Sequence, residues 1–342
     1  MQPGYFMYDV VIIGAGPVGL ACAIEAKRAG LQAKVIDKGA LVNSLTGYPL
    51  NMEFFSTAEL LEIGDHPFPT RGAKPSREEA LSYYQKVAKA ENLDVNLFEE
   101  VLSVDGENEA FSVTTTKDAY DARKVVVVTG FFDIPNPLNV PGEDLPKVTH
   151  YFTEPYRYAQ QEVAIIGAKN SAAKAALRCH RAGAHVTMII RGSEVSEKVK
   201  YWIRPDLLNR IKEGAIKVFY NANLTRITDD ILQFSTPDGD VEIKNDWVIA
   251  MTGYRPSYSF LTSLGITIDT DENRTPIHDP NTFETARKGV FMAGTVCGGL
   301  RTSRWFIENG RHHAKLIMNY IAHGIVGDIT NIPDPVAENI NA

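Results

Sequence analysis

The sequence predicts an α/β protein built from two Rossmann-like, three-layer dinucleotide-binding domains, the second inserted into the first. Three observations predict it. A β-branched run breaks at a glycine-rich turn and continues into an alanine-rich helix; a second unit of the same grammar follows farther along; and two apolar runs each end in Thr-Gly and lead into proline. The length of 342 residues fits two lobes, because single cores rarely grow past about 250–300 residues.

The first unit opens with Tyr8-Asp9-Val10-Val11-Ile12-Ile13, a near-continuous apolar run of the kind that forms a strand buried on both faces. It breaks at Gly14-Ala15-Gly16-Pro17-Val18-Gly19, and the helix-forming stretch Leu20 to Ala29 follows, ended by Gly30. Ala33-Lys34-Val35-Ile36-Asp37 is the next strand, which completes a βαβ unit. A dinucleotide pyrophosphate needs a tight turn, close backbone approach and a helix N-terminus, and Gly14, Gly16 and Gly19 with Pro17 stand where those needs arise. Asp37 lies 23 residues after Gly14 (37 − 14), where a carboxylate can accept from the ribose hydroxyls, with Lys38 beside it.

The second unit begins at Glu162-Val163-Ala164-Ile165-Ile166 and turns at Gly167-Ala168-Lys169-Asn170-Ser171-Ala172. A helix runs to Ala182 and a strand follows at His185 to Ile190. Gly167 lies 153 residues after Gly14 (167 − 14), a domain-scale spacing that indicates a duplicated nucleotide-binding fold. Lys169 replaces the middle glycine and Ala172 the third. Arg191 falls 24 residues after Gly167 (191 − 167), the place taken by Asp37 in the first unit. An acid there repels a 2′-phosphate and a guanidinium pairs with it, so the second lobe is expected to take NADPH, with Lys198 adding to the phosphate site, and the first to take FAD.

The Thr-Gly runs are Val125 to Gly130, which brings Thr129 and Gly130 to the ligand end of a strand, and Trp247 to Gly253. The prolines that follow each suit crossovers between lobes. The expected domains are 1–148 for the first part of the FAD domain, 149–256 for the inserted NADPH domain and 257–342 for the remainder. Near the end, Gly289 to Thr295 reads as a strand and a small-residue turn, and Glu308-Asn309-Gly310-Arg311 opens a helix. Gly294, Thr295 and Arg311 are therefore candidates for a second clamp on FAD.

Composition narrows the function classes. With 44% hydrophobic and 23% charged residues the chain is globular, and 35 basic against 42 acidic side chains argue against a nucleic-acid binder. The first residues lack a basic segment followed by an apolar one, and the apolar runs are of strand length, so a cytoplasmic, non-membrane protein is expected. Cys22, Cys179 and Cys297 are separated by 157 and 118 residues (179 − 22, 297 − 179), which leaves no CxxC, no metal-ligand spacing and no disulfide framework. Electrons must then pass from cofactor to acceptor directly or through one thiol.

On these residues the chain resembles thioredoxin-reductase-like flavoproteins, and within them the YpdA-type bacillithiol-disulfide reductase family. The stretches that carry the resemblance are Phe54-Phe55-Ser56, Ile63 to Phe68, the lysine-bearing turn at 167–172, Arg191-Gly192 and Phe306 to Gly310. The resemblance implies FAD, NADPH, a homodimer, and reduction of a small-molecule disulfide or of a small redox protein. Some members carry a cysteine just before the third glycine of the first turn, where this chain has Val18. Cys297 is then the candidate catalytic thiol, because it follows the turn that the family places beside the flavin; a small packed residue is the alternative reading. Tyr48 falls in the segment expected to pass the isoalloxazine. His150, His312 and His313 are candidate proton donors. A ferredoxin–NADP reductase of thioredoxin reductase type, a flavin monooxygenase and a redox sensor without turnover are the competing functions.

Overall fold

The structure, a computed structural model, describes residues 6–332. The outer ends of the expected spans 1–148 and 257–342 lie outside the described residues. Backbone contacts divide the chain into two compact units, one of Met1–Thr46, Met52–Ile134 and Tyr254–Ala342, the other of Gly47–Asn51 and Pro135–Gly253.

The first unit begins with β1 (Tyr8–Ile13), α1 (Pro17–Arg28) and β2 (Ala33–Ile36), the βαβ unit read above. Helix α2 (Arg77–Ala90) leads to β3 (Val95–Asn96), and β4 (Val101–Glu107), β5 (Ala110–Thr115) and β6 (Ala119–Val127) form a meander. The sheet runs β3-β2-β1-β6-β5-β4. Its β3-β2-β1-β6 half is parallel and the meander antiparallel. Val10 to Ile12 and Val125 to Val127 have no exposed surface, as parallel strands covered on both faces require.

The second unit comprises β7 (Val148–Thr149), β8 (Glu162–Ile166), α3 (Asn170–Arg181), β9 (His185–Ile189), α4 (Arg204–Lys212) and β10 (Lys217–Phe219). An antiparallel sheet of β11 (Asn223–Ile227), β12 (Ile231–Thr236) and β13 (Gly239–Lys244) precedes β14 (Trp247–Ala250). The main sheet is parallel, in the order β10-β9-β8-β14-β7.

The chain then returns to the first unit with β15 (Val290–Met292) and α5 (Ile307–His323). Strand β6 shares one edge between two partners: Ala119 to Ala122 pair with β5, and Val125 to Val127 pair with β15. As β5 diverges, β15 takes its place, and this sets the turn after β15 beside the end of β6.

The inserted unit starts at Pro135, whereas the sequence reading put its start at residue 149. Leu138, Val140, Leu145 and Val148 pack against a core that includes Ile166, Phe234 and Val248, and β7 pairs with β14. These apolar contacts draw 135–148 into the second unit. Its end at Gly253 lies three residues before the expected 256 (256 − 253).

Candidate functional site: two dinucleotide turns

The first turn is tight for steric reasons that side chains cannot meet. Gly14 has φ +118°, and a Cβ there would lie 2.5 Å from the Val128 carbonyl oxygen. A Cβ on Gly19 would lie 1.9 Å from the Gly14 oxygen, whereas one on Gly16 would meet nothing within 4 Å. Gly14 and Gly19 are therefore required by the fold, and Gly16 leaves clearance at the end of α1. Pro17 follows the Gly16 N-cap in the first turn of α1, where its missing N–H costs no bond.

The N-termini of α1 and α3 carry no side-chain cap and no acidic residue in the first turn. Helix α2 supplies the contrast: Ser76 and Glu79 form a capping box, and Glu78 and Glu79 occupy its first turn. Helix α2 satisfies its own positive end. Helices α1 and α3 leave theirs to an anion, which is what a pyrophosphate supplies. The residues present thus fit a dinucleotide at both turns.

Asp37, expected to meet a ribose, has partners within the protein. Its Oδ2 accepts from Ala15 N–H at 2.7 Å and its Oδ1 from Gly39 N–H at 2.8 Å, so the carboxylate braces the turn. Each oxygen keeps a further lone pair. Burial raises its pKa; the two N–H bonds oppose the rise and the neighbouring Asp133 adds to it. Asp133, which the sequence reading missed, also takes the Lys38 ammonium at 2.8 Å, so Lys38 is engaged with protein.

The second turn repeats the first. Gly167 has φ +137°, with a virtual Cβ 2.6 Å from the Met251 oxygen and 3.3 Å from the Ala172 Cβ. Gly14 N–H donates to Ile36 and Gly167 N–H to Ile189. Lys169 is extended like Gly16, at φ −98° against −69°, and its side chain is exposed, which explains why a lysine is tolerated where the first turn has glycine. Ser171 is exposed on the first turn of α3. Asn170 is turned sideways, its Nδ2 donating to the Lys198 oxygen at 3.1 Å and its Oδ1 accepting from Lys200 N–H at 2.9 Å.

The matched placement of Asp37 and Arg191 needs correction by one residue. Ile13 lies opposite Ile36 and Ile166 opposite Ile189, so Asp37 corresponds to the buried Ile190 and Arg191 corresponds to Lys38. The extra residue brings a side chain out of the core. Arg191, Lys169 and Lys198 are exposed, and among the described residues no protein group engages these three charges.

The end of β6 and the turn after β15 meet. Gly130, at φ +68°, has Thr295 Oγ1 3.5 Å from its virtual Cβ, and Thr129 is half-buried beside it. Gly294, at φ +75°, lies against Val18, whose Cβ and both methyls are 3.3 Å from where a Cβ would stand. Gly310 of α5 closes on the same point, its virtual Cβ being 3.2 Å from Gly294 Cα. Val18 thus fills the helix crossing. Arg311 is a structural anchor: its Nη1 donates to the carbonyls of Glu59 and Glu62, while Ser56 donates to Glu308. The Ser56–Glu308 bond joins two of the stretches that carried the resemblance.

His313 is enclosed, and its Nδ1 accepts from Gly294 N–H at 3.1 Å. The ring stacks on Phe283 at 4.1 Å, with Trp305 edge-on at 4.4 Å. Burial holds its pKa well below the ordinary value, which favours the neutral ring that the Nδ1 acceptor role requires. The half-buried His312 is also shifted down by burial. His150 is braced between Glu143 at 3.2 Å and the Thr252 hydroxyl at 3.4 Å.

Cys297 has 1% of its surface exposed, and burial pushes its thiol up; Cys22 and Cys179 are buried and shifted the same way. A nucleophilic cysteine is an accessible thiolate. Cys297 has the opposite properties. Tyr48 lies in the 47–51 stretch that groups with the second unit, and burial raises its phenol to about 12. Among the described residues there is no cluster that could hold a metal ion, and no helix is long and apolar enough to cross a membrane.

Residues 11–294, spanning both turns and ending at Gly294, match the family described as pyridine nucleotide-disulphide oxidoreductase. The chain belongs to that family. It is 44% identical over 314 residues to the bacilliredoxin reductase Bdr of Bacillus subtilis (strain 168), covering 91% of this chain and 97% of the relative. The solved bacillithiol disulfide reductase Bdr (YpdA) of Bacillus cereus superposes with a TM-score of 0.91 at 42% identity, over 94% of this chain and all of that one. The Staphylococcus aureus protein of the same description gives 0.89 at 43% identity, over 93% and 98%. The α/β fold is that of thioredoxin-reductase-like flavoproteins. This family member is a flavin-dependent oxidoreductase that uses FAD and NADPH.

Proposed function

We propose that this chain is an NADPH-dependent disulfide reductase that holds FAD at the first turn and NADPH at the second, and delivers electrons to a bacillithiol-type disulfide without a protein dithiol. The observation that carries the reading is the contrast in charge. At the first turn Asp37 is satisfied by backbone N–H groups and Lys38 by Asp133, whereas at the second Lys169, Arg191 and Lys198 stand unpaired around an uncapped helix end. That arrangement suits the additional charge of a 2′-phosphate. Gly14, Gly16 and Gly19 would receive the FAD pyrophosphate, with Thr129, Gly130, Gly294 and Thr295 as the second clamp.

Bound FAD supplies a two-electron acceptor for hydride. The protein's part is to orient and enclose: Asp37 braces the first turn, and neutral His313 holds the Gly294 N–H. Overall, NADPH and one proton convert one disulfide to two thiols and NADP+. The names of the relatives support a disulfide acceptor, free or carried by a small redox protein. The resemblance supports a homodimer, and the acidic composition without an apolar spanning segment supports a cytoplasmic location.

Anaerobic titration of the flavoprotein tests the reading. NADPH should bleach the flavin at far lower concentration than NADH, and Arg191→Glu should abolish that preference. An unchanged preference in the variant would reject the site. Turnover with bacillithiol disulfide and none with ferredoxin is expected; ferredoxin reduction alone would overturn the acceptor.

A further inference from the structure

The two turns follow the same backbone course but differ in side chains, among them the one that follows the lysine. Where the first has Gly16-Pro17, the second has Lys169-Asn170. Proline has no polar side chain, and the first turn is braced by Asp37 instead. Asn170 spends both ends of its carboxamide on segment 192–203, accepting from Lys200 N–H and donating to the Lys198 oxygen.

That segment lies as a strap beside the turn. Val195, Val199 and Ile203 are buried in the second unit's core, while Glu197 and Lys198 between them are exposed. Ser196 N–H donates to the oxygen of Ala168, within the turn itself, at 3.1 Å. Gly192 accepts from Asn221 N–H at 2.9 Å, and Arg204 reaches Glu194 at 3.3 Å. The backbone before and after Lys198 is therefore held beside the turn that carries Lys169, and Lys198 is exposed there. Within the turn, the Asn170 carboxamide donates to the Lys198 carbonyl oxygen.

We propose that Asn170 is a positioning residue for NADPH specificity: its carboxamide fixes the 192–203 strap so that Lys198 and Arg191 present converging charges to the 2′-phosphate. It acts through Lys198 rather than by touching the phosphate. The proposal rests on the assignment of NADPH to this turn, and it goes further by naming what sets the geometry of the charges.

The test measures kcat/KM for NADPH and for NADH on the FAD-loaded enzyme. Asn170→Ala removes two hydrogen bonds, and the NADPH-to-NADH ratio is expected to fall about tenfold, through KM rather than kcat. Asn170→Asp keeps an acceptor for Lys200 N–H but sets a carboxylate against the Lys198 oxygen, and it should lower the ratio as well, which separates positioning from a general loss of packing. In a Lys198→Ala background, Asn170→Ala should change the ratio by less than about twofold, because interacting residues are not additive. Multiplying effects of the two substitutions, or an unchanged ratio in Asn170→Ala, would overturn the proposal. Arg191→Glu separates the two levels: an unchanged ratio there removes the NADPH site itself, whereas a lost ratio there with none lost in Asn170→Ala removes only the role of Asn170.

Discussion

Gly294→Ala probes the point where α1, α5 and the turn after β15 converge, and its cost can be worked from two separable parts. The residue has φ +75°, and forcing an alanine into that region costs about 1–2 kcal/mol. The added methyl would also meet three Val18 carbons at 3.3 Å, closer than ordinary contact, and overpacking of this kind costs about 1–3 kcal/mol. The sum is about 2–5 kcal/mol. Val18→Ala removes two of the three carbons, so in the double variant most of the overpacking should vanish while the backbone strain persists. The expected coupling is about 1–2 kcal/mol in the favourable direction, well outside the ~0.5 kcal/mol within which independent sites add. Urea unfolding of the four proteins, followed by flavin release at one fixed excess of FAD, measures it. Additive costs would show that Val18 does not set the space beside Gly294, and the account of this crossing would fall.

Gly16→Ala should leave stability nearly unchanged but weaken FAD retention, whereas Gly19→Ala, with its methyl 1.9 Å from a carbonyl oxygen, should give flavin-free, destabilised protein; equal behaviour of the two by thermal melting and absorbance would contradict the division of roles. Cys297→Ala should retain disulfide reduction per bound flavin, and a variant still bleached by NADPH but unable to reduce disulfide would make the buried thiol the reaction centre after all. His313 has a depressed folded pKa, so the unfolded chain binds its proton more readily; below the unfolded value near 6.5, stability falls with falling pH by up to about 1.4 kcal/mol per unit. His313→Gln should lose this slope between about pH 6.5 and 5, and an identical pH dependence in both proteins would deny it.

The local grammar of the chain determined much of this protein by itself. The runs at Tyr8–Ile13 and Glu162–Ile166, their glycine turns and their helices are read from neighbours in sequence, because strand burial, a positive φ and a helix start are local requirements. The family, its cofactors and the absence of a CxxC pair were legible for the same reason. The limits of the inserted unit were not: Leu138 and Val140 look like linker residues until the core that receives them is known. Nor could spacing reveal that Arg191 aligns with Lys38, since one residue of register decides which side chain leaves the core. Asp133, the enclosure of Cys297 and His313, and the bonds from Asn170 to the strap depend on residues far apart in the chain. Whether a thiol is reachable or a charge is already paired is a property of three-dimensional surroundings, and only the tertiary structure decided it.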